Sequence, residues 1–214
     1  GKNVTRFQPG DEVFGESNNG FQWTNGGAYA EYVAVRQDVL AHKPSGITFE
    51  QAASVPTSGY IALMNLDEGR SIQPGDRVLI NGAGGGVGSI AVQLAKAYGA
   101  HVTGVDSAQK LAMISTFGAD QVIDYTQENV VQCGERYDFI LDIASTLALS
   151  DCKQILTPKG IYVIIGHGDY GRVGNPILGS LPRFFSALAR IRFDRQLPNA
   201  DFAMPSRKTA MNTL

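Results

Sequence analysis

The residues in this sequence best suited to chemistry are glycines. From Val78 the chain reads Val78-Leu79-Ile80-Asn81-Gly82-Ala83-Gly84-Gly85-Gly86-Val87-Gly88, an apolar run entering a glycine turn that opens into helical spacing. Side chains on such a turn would block a bulky anion. Bare backbone N–H groups at a helix N-terminus, with its positive partial charge, attract a pyrophosphate instead. The candidate binding stretch is therefore Ala83, Gly85, Gly86, Val87 and Gly88: Gly85 lets a pyrophosphate approach, and Gly88 lets the helix lie close to the strand. Ala83 stands at the first fingerprint position, so the motif is A-x-G-x-x-G rather than the strict glycine triplet. Ser89 occupies the place where an ATP-hydrolysing phosphate loop needs Lys, which excludes that chemistry. The next apolar run ends in Asp106, eighteen residues beyond Gly88. That is near the roughly twenty-residue offset of an acid that accepts hydrogen bonds from a ribose 2′-OH and so favours NAD over NADP. A ligand-free glycine turn is the plain alternative.

The elements needed to position this loop are legible around it. Arg77 to Asn81, His101 to Val105, Gln121 to Asp124, Tyr137 to Asp142 and Gly160 to Gly166 read as strands. Val87 to Tyr98, Ser107 to Phe117 and Leu147 to Leu156 read as helices between them. Strands alternating with helices of this length predict an α/β fold, a doubly wound parallel sheet of Rossmann type. Thr48-Phe49-Glu50-Gln51 fits a capping box and opens a helical stretch running past Pro56 towards Leu66. Residues 1–45 read differently, as short strands broken by turns: Pro9-Gly10-Asp11, then Glu12-Val13-Phe14, then the aromatic and β-branched run Ala28 to Val35. A few short strands make a marginal unit alone, so this β-rich piece is expected to be part of a larger domain. At the other end, Leu178, Leu181, Phe184, Phe185, Leu188 and Ile191 recur at helical spacing, with Asp201 to Met204 as a last strand. Gly1 in place of Met, and an uncapped end at Leu214, suggest a chain cut at both ends.

Composition narrows the classes. The 214 residues, at about 150 per domain, suit one full domain and part of another. Forty-three per cent apolar and 18% charged residues support an ordinary buried core, and a net charge of −2 offers no field for a nucleic-acid backbone. No apolar run approaches a membrane span and no secretory signal precedes the first strand, so a cytoplasmic location is expected. Cys133 and Cys152 form neither a disulfide framework nor a Cys-x-x-Cys pair, and are expected to be buried free thiols.

Taken in order, Gly10-Asp11-Glu12-Val13-Phe14-Gly15, Ala30-Glu31-Tyr32-Val33, Ala52-Ala53-Ser54-Val55-Pro56, the Gly82 to Gly88 loop, Gly118-Ala119-Asp120 and Val122-Ile123-Asp124-Tyr125 resemble the medium-chain dehydrogenase/reductase superfamily. The similarity is to its zinc-independent quinone oxidoreductases. The resemblance implies that residues 1–45 are a partial GroES-like catalytic domain and that 46–214 form the dinucleotide-binding domain, incomplete at its carboxyl end. It implies hydride transfer from NAD(P)H to a quinone, enone or related carbonyl acceptor, with the catalytic residues unassigned. Lys110 and Tyr125 match positions that contact the 2′-phosphate in NADPH-using members, which sets them against Asp106 in choosing between NADP(H) and NAD(H). His167, in Gly166-His167-Gly168, matches the segment passing the nicotinamide. The cysteine-rich zinc lobe has no counterpart between Val13 and Tyr32, so no zinc is expected. Where relatives place a Thr near the cofactor, this chain has Ile61, with Thr57 and Ser58 a turn earlier. The partners implied are a small-molecule substrate and a second copy in a homodimer, without nucleic acid or membrane. No Tyr is followed four residues on by Lys, so the acid/base pair of short-chain dehydrogenases is missing. Two other readings stand beside the reductase: a nucleotide-binding module without catalysis, and an S-adenosylmethionine-binding domain.

Overall fold

The computed structural model describes residues 1–17, 28–67 and 71–165. His167 and the expected elements at 178–191 and 201–204 lie outside the described residues. The chain divides into two compact units between Ile61 and Ala62.

In the first unit, β1 (Val13–Gly15) pairs antiparallel with β2 (Leu40–His42), Val13 opposite His42 and Gly15 opposite Leu40. The Gln37 side chain accepts from the N–H groups of Thr5 and Arg6 at 2.9 and 3.0 Å, tying the first residues to this ribbon. The run 28–35 forms no strand, and Tyr29 and Tyr32 are fully or largely exposed. Its β propensity has no described partner strand to act on, and propensity without pairing does not make a strand. The helical stretch divides in two. Helix α1 (Phe49–Ser54) carries the expected capping box, Thr48 accepting from the Gln51 N–H and Gln51 reaching back to the Thr48 N–H. Pro56 then opens α2 (Pro56–Leu66), taking the first-turn position where its missing N–H removes no bond.

The second unit holds a five-stranded parallel sheet in the order β5-β4-β3-β6-β7. Its strands are β3 (Arg77–Asn81), β4 (His101–Asp106), β5 (Gln121–Asp124), β6 (Tyr137–Asp142) and β7 (Leu156–Ile164). The intervening helices are α3 (Gly86–Ala97), α4 (Ala108–Thr116) and α5 (Leu149–Ile155). Successive residues of β3 face opposite layers. Val78 and Ile80 join Val92, Ala95, Ile114 and Phe139 in one core, while Leu79 joins Val105, Ile140, Ile155 and Tyr162 in the other. Burial on both faces is why β3 reads as an unbroken apolar run. This is the expected Rossmann sheet. Strand β7 begins four residues earlier than Gly160, and its register against β6 shifts between Tyr137 and Phe139. The irregularity accommodates Pro158, which has no N–H for a ladder. Cys152 is buried in the second core; Cys133, contrary to expectation, is exposed on the loop before β6, where no core element covers it.

Candidate nucleotide site at the carboxyl edge of the sheet

The strand order reverses between β3 and β6, so chain leaving their carboxyl ends departs in opposite directions and leaves a crevice, the usual ligand position in such sheets. The glycine loop lies on its β3 side. Gly82, at φ 89°, makes the turn that only glycine adopts freely, and the N–H groups of Gly82 and Ala83 both donate to the Val105 carbonyl at 2.9 and 3.1 Å. Ala83 is completely buried. Its methyl is accommodated by Gly104 on β4, where a Cβ would stand 3.1 Å from that of Ala83 and 2.6 Å from Ile114 Cγ2. The departure from the strict fingerprint is thus matched one strand away.

Three further glycines have different reasons. A Cβ on Gly88 would stand 2.1 Å from the Gly82 carbonyl oxygen and 2.7 Å from Ala83 Cα, so close packing of α3 on β3 excludes any side chain there. A Cβ on Gly84 would meet Lys110 Cδ at 2.5 Å and Asp106 Oδ2 at 3.0 Å. At Gly85 the nearest atom would be the Gly82 oxygen, at an ordinary 3.4 Å. The protein's own packing does not require glycine at 85. Gly85 and Gly86 are exposed, Gly85 is the N-cap of α3, and no side chain caps that helix. The N–H groups of Gly86, Val87 and Gly88 lie in the first turn, where no intrahelical carbonyl reaches them. An uncapped helix end facing space that a Cβ would fill suits a pyrophosphate.

Asp106 ends β4 beside this loop and is almost wholly buried. Its Oδ2 accepts from the Gly84 N–H at 2.8 Å, its Oδ1 from the Ser107 N–H at 2.8 Å, and Lys110 Nζ stands 3.1 Å from Oδ1. Burial alone would raise the carboxyl, but the Ser107 and Gly84 N–H groups and the Lys110 ammonium outweigh it and hold Asp106 below the ordinary carboxylate value. The residues that the sequence set in opposition are therefore paired with each other. Asp106 is tied to the loop, whereas Lys110 is half-exposed. Tyr125 is exposed just beyond β5, its N–H bound to the Asp106 carbonyl at 3.3 Å. Asp106, Lys110 and Tyr125 thus gather with the glycine loop at one sheet edge. In the first unit, Thr57 donates its hydroxyl to Glu16 at 2.5 Å. Among the described residues no group of three or more His, Cys, Asp or Glu side chains is placed to hold a metal ion.

A polar cluster that no sequence motif marks lies on the β6 side. Asn81 Nδ2 donates to Asp142 Oδ1 at 2.7 Å and to Thr146 Oγ1 at 2.9 Å, and the Tyr162 hydroxyl donates to Asp142 Oδ2 at 3.0 Å. The available signal was a polar residue closing each of the apolar runs Val78 to Asn81 and Phe139 to Asp142.

A family profile described as zinc-binding dehydrogenase matches residues 86–186. The chain is 42% identical over 152 residues to a mitochondrial NAD(P)H oxidoreductase of Mus musculus, covering 66% of this chain and 37% of that protein. It is 34% identical over 199 residues to a chloroplastic NADPH-dependent alkenal/one oxidoreductase of Arabidopsis thaliana, covering 84% and 50%. The Escherichia coli quinone oxidoreductase complexed with NADPH superposes with a TM-score of 0.65 at 31% identity, covering 86% of this chain and 56% of that one. The chain therefore spans about half the length of these relatives or less. With the motif order, the parallel sheet and these likenesses in agreement, the chain belongs to the medium-chain dehydrogenase/reductase superfamily, in its quinone oxidoreductase-like branch.

Proposed function

We propose that this chain carries the nicotinamide-dinucleotide site of a reductase that passes hydride from NADPH to a quinone, enone or related carbonyl acceptor without zinc. The observation that carries the reading is Gly85: packing does not demand glycine there, yet it is the exposed N-cap of a helix that no side chain caps and whose first residue, Gly86, is also exposed. In this reading the N–H groups of Gly86, Val87 and Gly88 hold the pyrophosphate, and Ala83 and Gly82 fix the turn that aims them. Asp106 serves mainly as an internal brace, since both its oxygens are engaged by the chain. Lys110 swings its half-exposed ammonium to a 2′-phosphate, with Tyr125 beside it, which favours NADPH over NADH. Hydride chemistry is supplied by the bound nicotinamide, and the protein contributes position and a dry pocket. Solvent protonates the product. His167 belongs to this reading through its sequence position alone. Residues 1–45 are assigned to the catalytic lobe and 46–214 to the dinucleotide domain; a homodimer and a cytoplasmic location complete the proposal. The absence of cysteine between Val13 and Tyr32 supports zinc independence.

The test is oxidation of NADPH by the full chain with a panel of quinones and enones, followed by nicotinamide absorbance. Turnover supports the reductase; none with any acceptor contradicts it. One observation favours a second reading, binding without catalysis: Ile61 replaces the expected Thr, and Thr57 is committed to Glu16. Saturable NADPH binding without turnover would select it.

A further inference from the structure

At the opposite edge of the sheet from the glycine loop, a cavity of about 510 Å³ is lined by Arg77, His101, Thr103, Asp120 and Gln121 among others, a size that suits a small molecule. Arg77, His101 and Gln121 open β3, β4 and β5, so this edge lies about 16 Å along β4 from Asp106 and the nucleotide site. Strand alternation explains the lining. Arg77, Thr103 and Gln121 stand two residues before Leu79, Val105 and Ile123, which share the second core, and residues two apart in a strand face the same side. Tyr137, the first residue of β6, belongs to that same layer.

The polar groups at this edge are unequally satisfied. Tyr137 is 1% exposed, and among the described residues its hydroxyl has no hydrogen-bond partner. Burial pushes its phenol up; Thr103 opposes that shift, Cys133 adds to it and Arg77 opposes it, so the oxygen lies among these three groups, two of which line the cavity. The Thr103 proton is spent on Gln121 Oε1 at 3.3 Å, which leaves the Gln121 NH2 unpaired among the described residues. The carboxylates, in contrast, are engaged. Asp120 accepts from Lys96 Nζ at 2.9 and 2.8 Å and from the Val102 N–H at 2.7 Å, and Glu135 pairs with Arg77. The cavity therefore has donors to spare and no free acid, and leaving a buried hydroxyl unpaired is costly. An acceptor oxygen is what completes it, and a carboxylate oxygen binds such donors more strongly than a neutral carbonyl. A dianion would be repelled by Asp120 and Glu135, whose charges are each already offset by one cation.

We propose that this cavity is a second ligand site, separate from the nucleotide crevice, which takes a small organic monocarboxylate with one oxygen on the Tyr137 hydroxyl and the other towards Gln121 and Arg77. The inference stands independently of the dinucleotide reading. The test titrates the full chain with benzoate and with acetate and follows the backbone amide ¹H–¹⁵N shifts of Gly75, Val102 and Thr103, for wild type, Tyr137→Phe and Gln121→Leu, with and without NADPH. Benzoate should move these amides saturably, and NADPH should not displace it. Loss of a charge-assisted hydrogen bond should weaken benzoate about tenfold or more in Tyr137→Phe, which, relieved of an unpaired buried hydroxyl, should melt no lower than wild type. Gln121→Leu, at an exposed position, should weaken benzoate about threefold or more and gives a separate reading should Tyr137→Phe not fold. Three outcomes overturn the site as proposed: no saturable shift with either carboxylate, a Tyr137→Phe or Gln121→Leu protein that binds benzoate within twofold of wild type, or displacement of benzoate by NADPH. Tighter binding of inorganic phosphate than of benzoate would overturn the assignment to a monocarboxylate. Failure of the chain to bind NADPH would count against the nucleotide site alone.

Discussion

The different reasons for Gly85 and Gly88 make two single-methyl changes diverge. At Gly88 an added Cβ would overlap the Gly82 oxygen at 2.1 Å and lie 2.8 Å from the Ala83 carbonyl carbon, all of it backbone. Ordinary contact begins near 3.4 Å, so α3 must move away from the loop by about an ångström. Overpacking of this kind costs about 1–3 kcal/mol, and the better helix propensity of Ala returns about 0.5–1. Because every atom met is backbone and cannot turn aside, the overpacking cost falls in the upper part of that range, about 2–3 kcal/mol, so Gly88→Ala should lose about 1–2.5 kcal/mol net, which for a chain of this size lowers Tm by roughly 2–10 °C. At Gly85 the backbone is extended, φ −87° and ψ 175°, and the new methyl meets nothing of the protein closer than 3.4 Å. Gly85→Ala should melt within about 0.5 kcal/mol of wild type, yet its methyl occupies the space assigned to the pyrophosphate and should weaken NADPH at least tenfold. The assay is thermal melting with and without NADPH on both variants. A Gly85→Ala protein that binds NADPH within twofold of wild type would refute the cradle, and a Gly88→Ala protein as stable as wild type would refute the packing argument.

Lys110→Ala should weaken NADPH about five- to thirtyfold, the range for one charge-assisted contact at a half-exposed site, and leave NADH within twofold; paired Kd titrations decide it. Gly104→Ala should cost about 1–3 kcal/mol, because its methyl would press on Ile114 at 2.6 Å and on Ala83, measured by denaturant unfolding. The Asp106 carboxyl lies below its ordinary value when folded, so it contributes stability above the unfolded carboxylate pKa, and that contribution is lost as pH falls through the depressed value. Asp106→Asn should therefore lose stability at neutral pH and show a shallower acid-side decline in Tm than wild type; an unchanged acid slope would contradict the brace assigned to Asp106.

Much of the second unit was legible because its signals are local or periodic. Strands β5 and β6 end where their apolar runs end, at Asp124 and Asp142, and the Thr48 capping box is a four-residue pattern that needs no tertiary partner. Legibility failed where a partner decides. The run 28–35 has the composition of a strand and pairs with nothing described, whereas Leu40–His42, less conspicuous, pairs with Val13–Gly15. Strand β7 starts early because Arg136 donates to the Leu156 carbonyl at 3.1 Å and Thr157 to Asp138 at 2.9 Å, contacts invisible in the sequence around Pro158. In the candidate site, Gly88 could be assigned from spacing alone. The mutual pairing of Asp106 and Lys110 and the Asn81–Asp142–Thr146 cluster required the sheet register, which brings Asn81 opposite Asp142 across 61 residues of chain.

In the proposed reading the uncapped end of α3 is a dinucleotide site tuned by Lys110 to the 2′-phosphate. The decisive measurement is titration of the wild-type chain with NADPH and with NADH, reading nicotinamide fluorescence and thermal shift together. Both should bind saturably, with NADPH tighter by about tenfold and a rise in Tm that follows ligand concentration, approaching about 2.7 kcal/mol of added stability at one hundred times Kd. Tighter binding of NADH would return the choice of cofactor to Asp106. No binding of either would show the glycine loop to be a structural turn without a nucleotide.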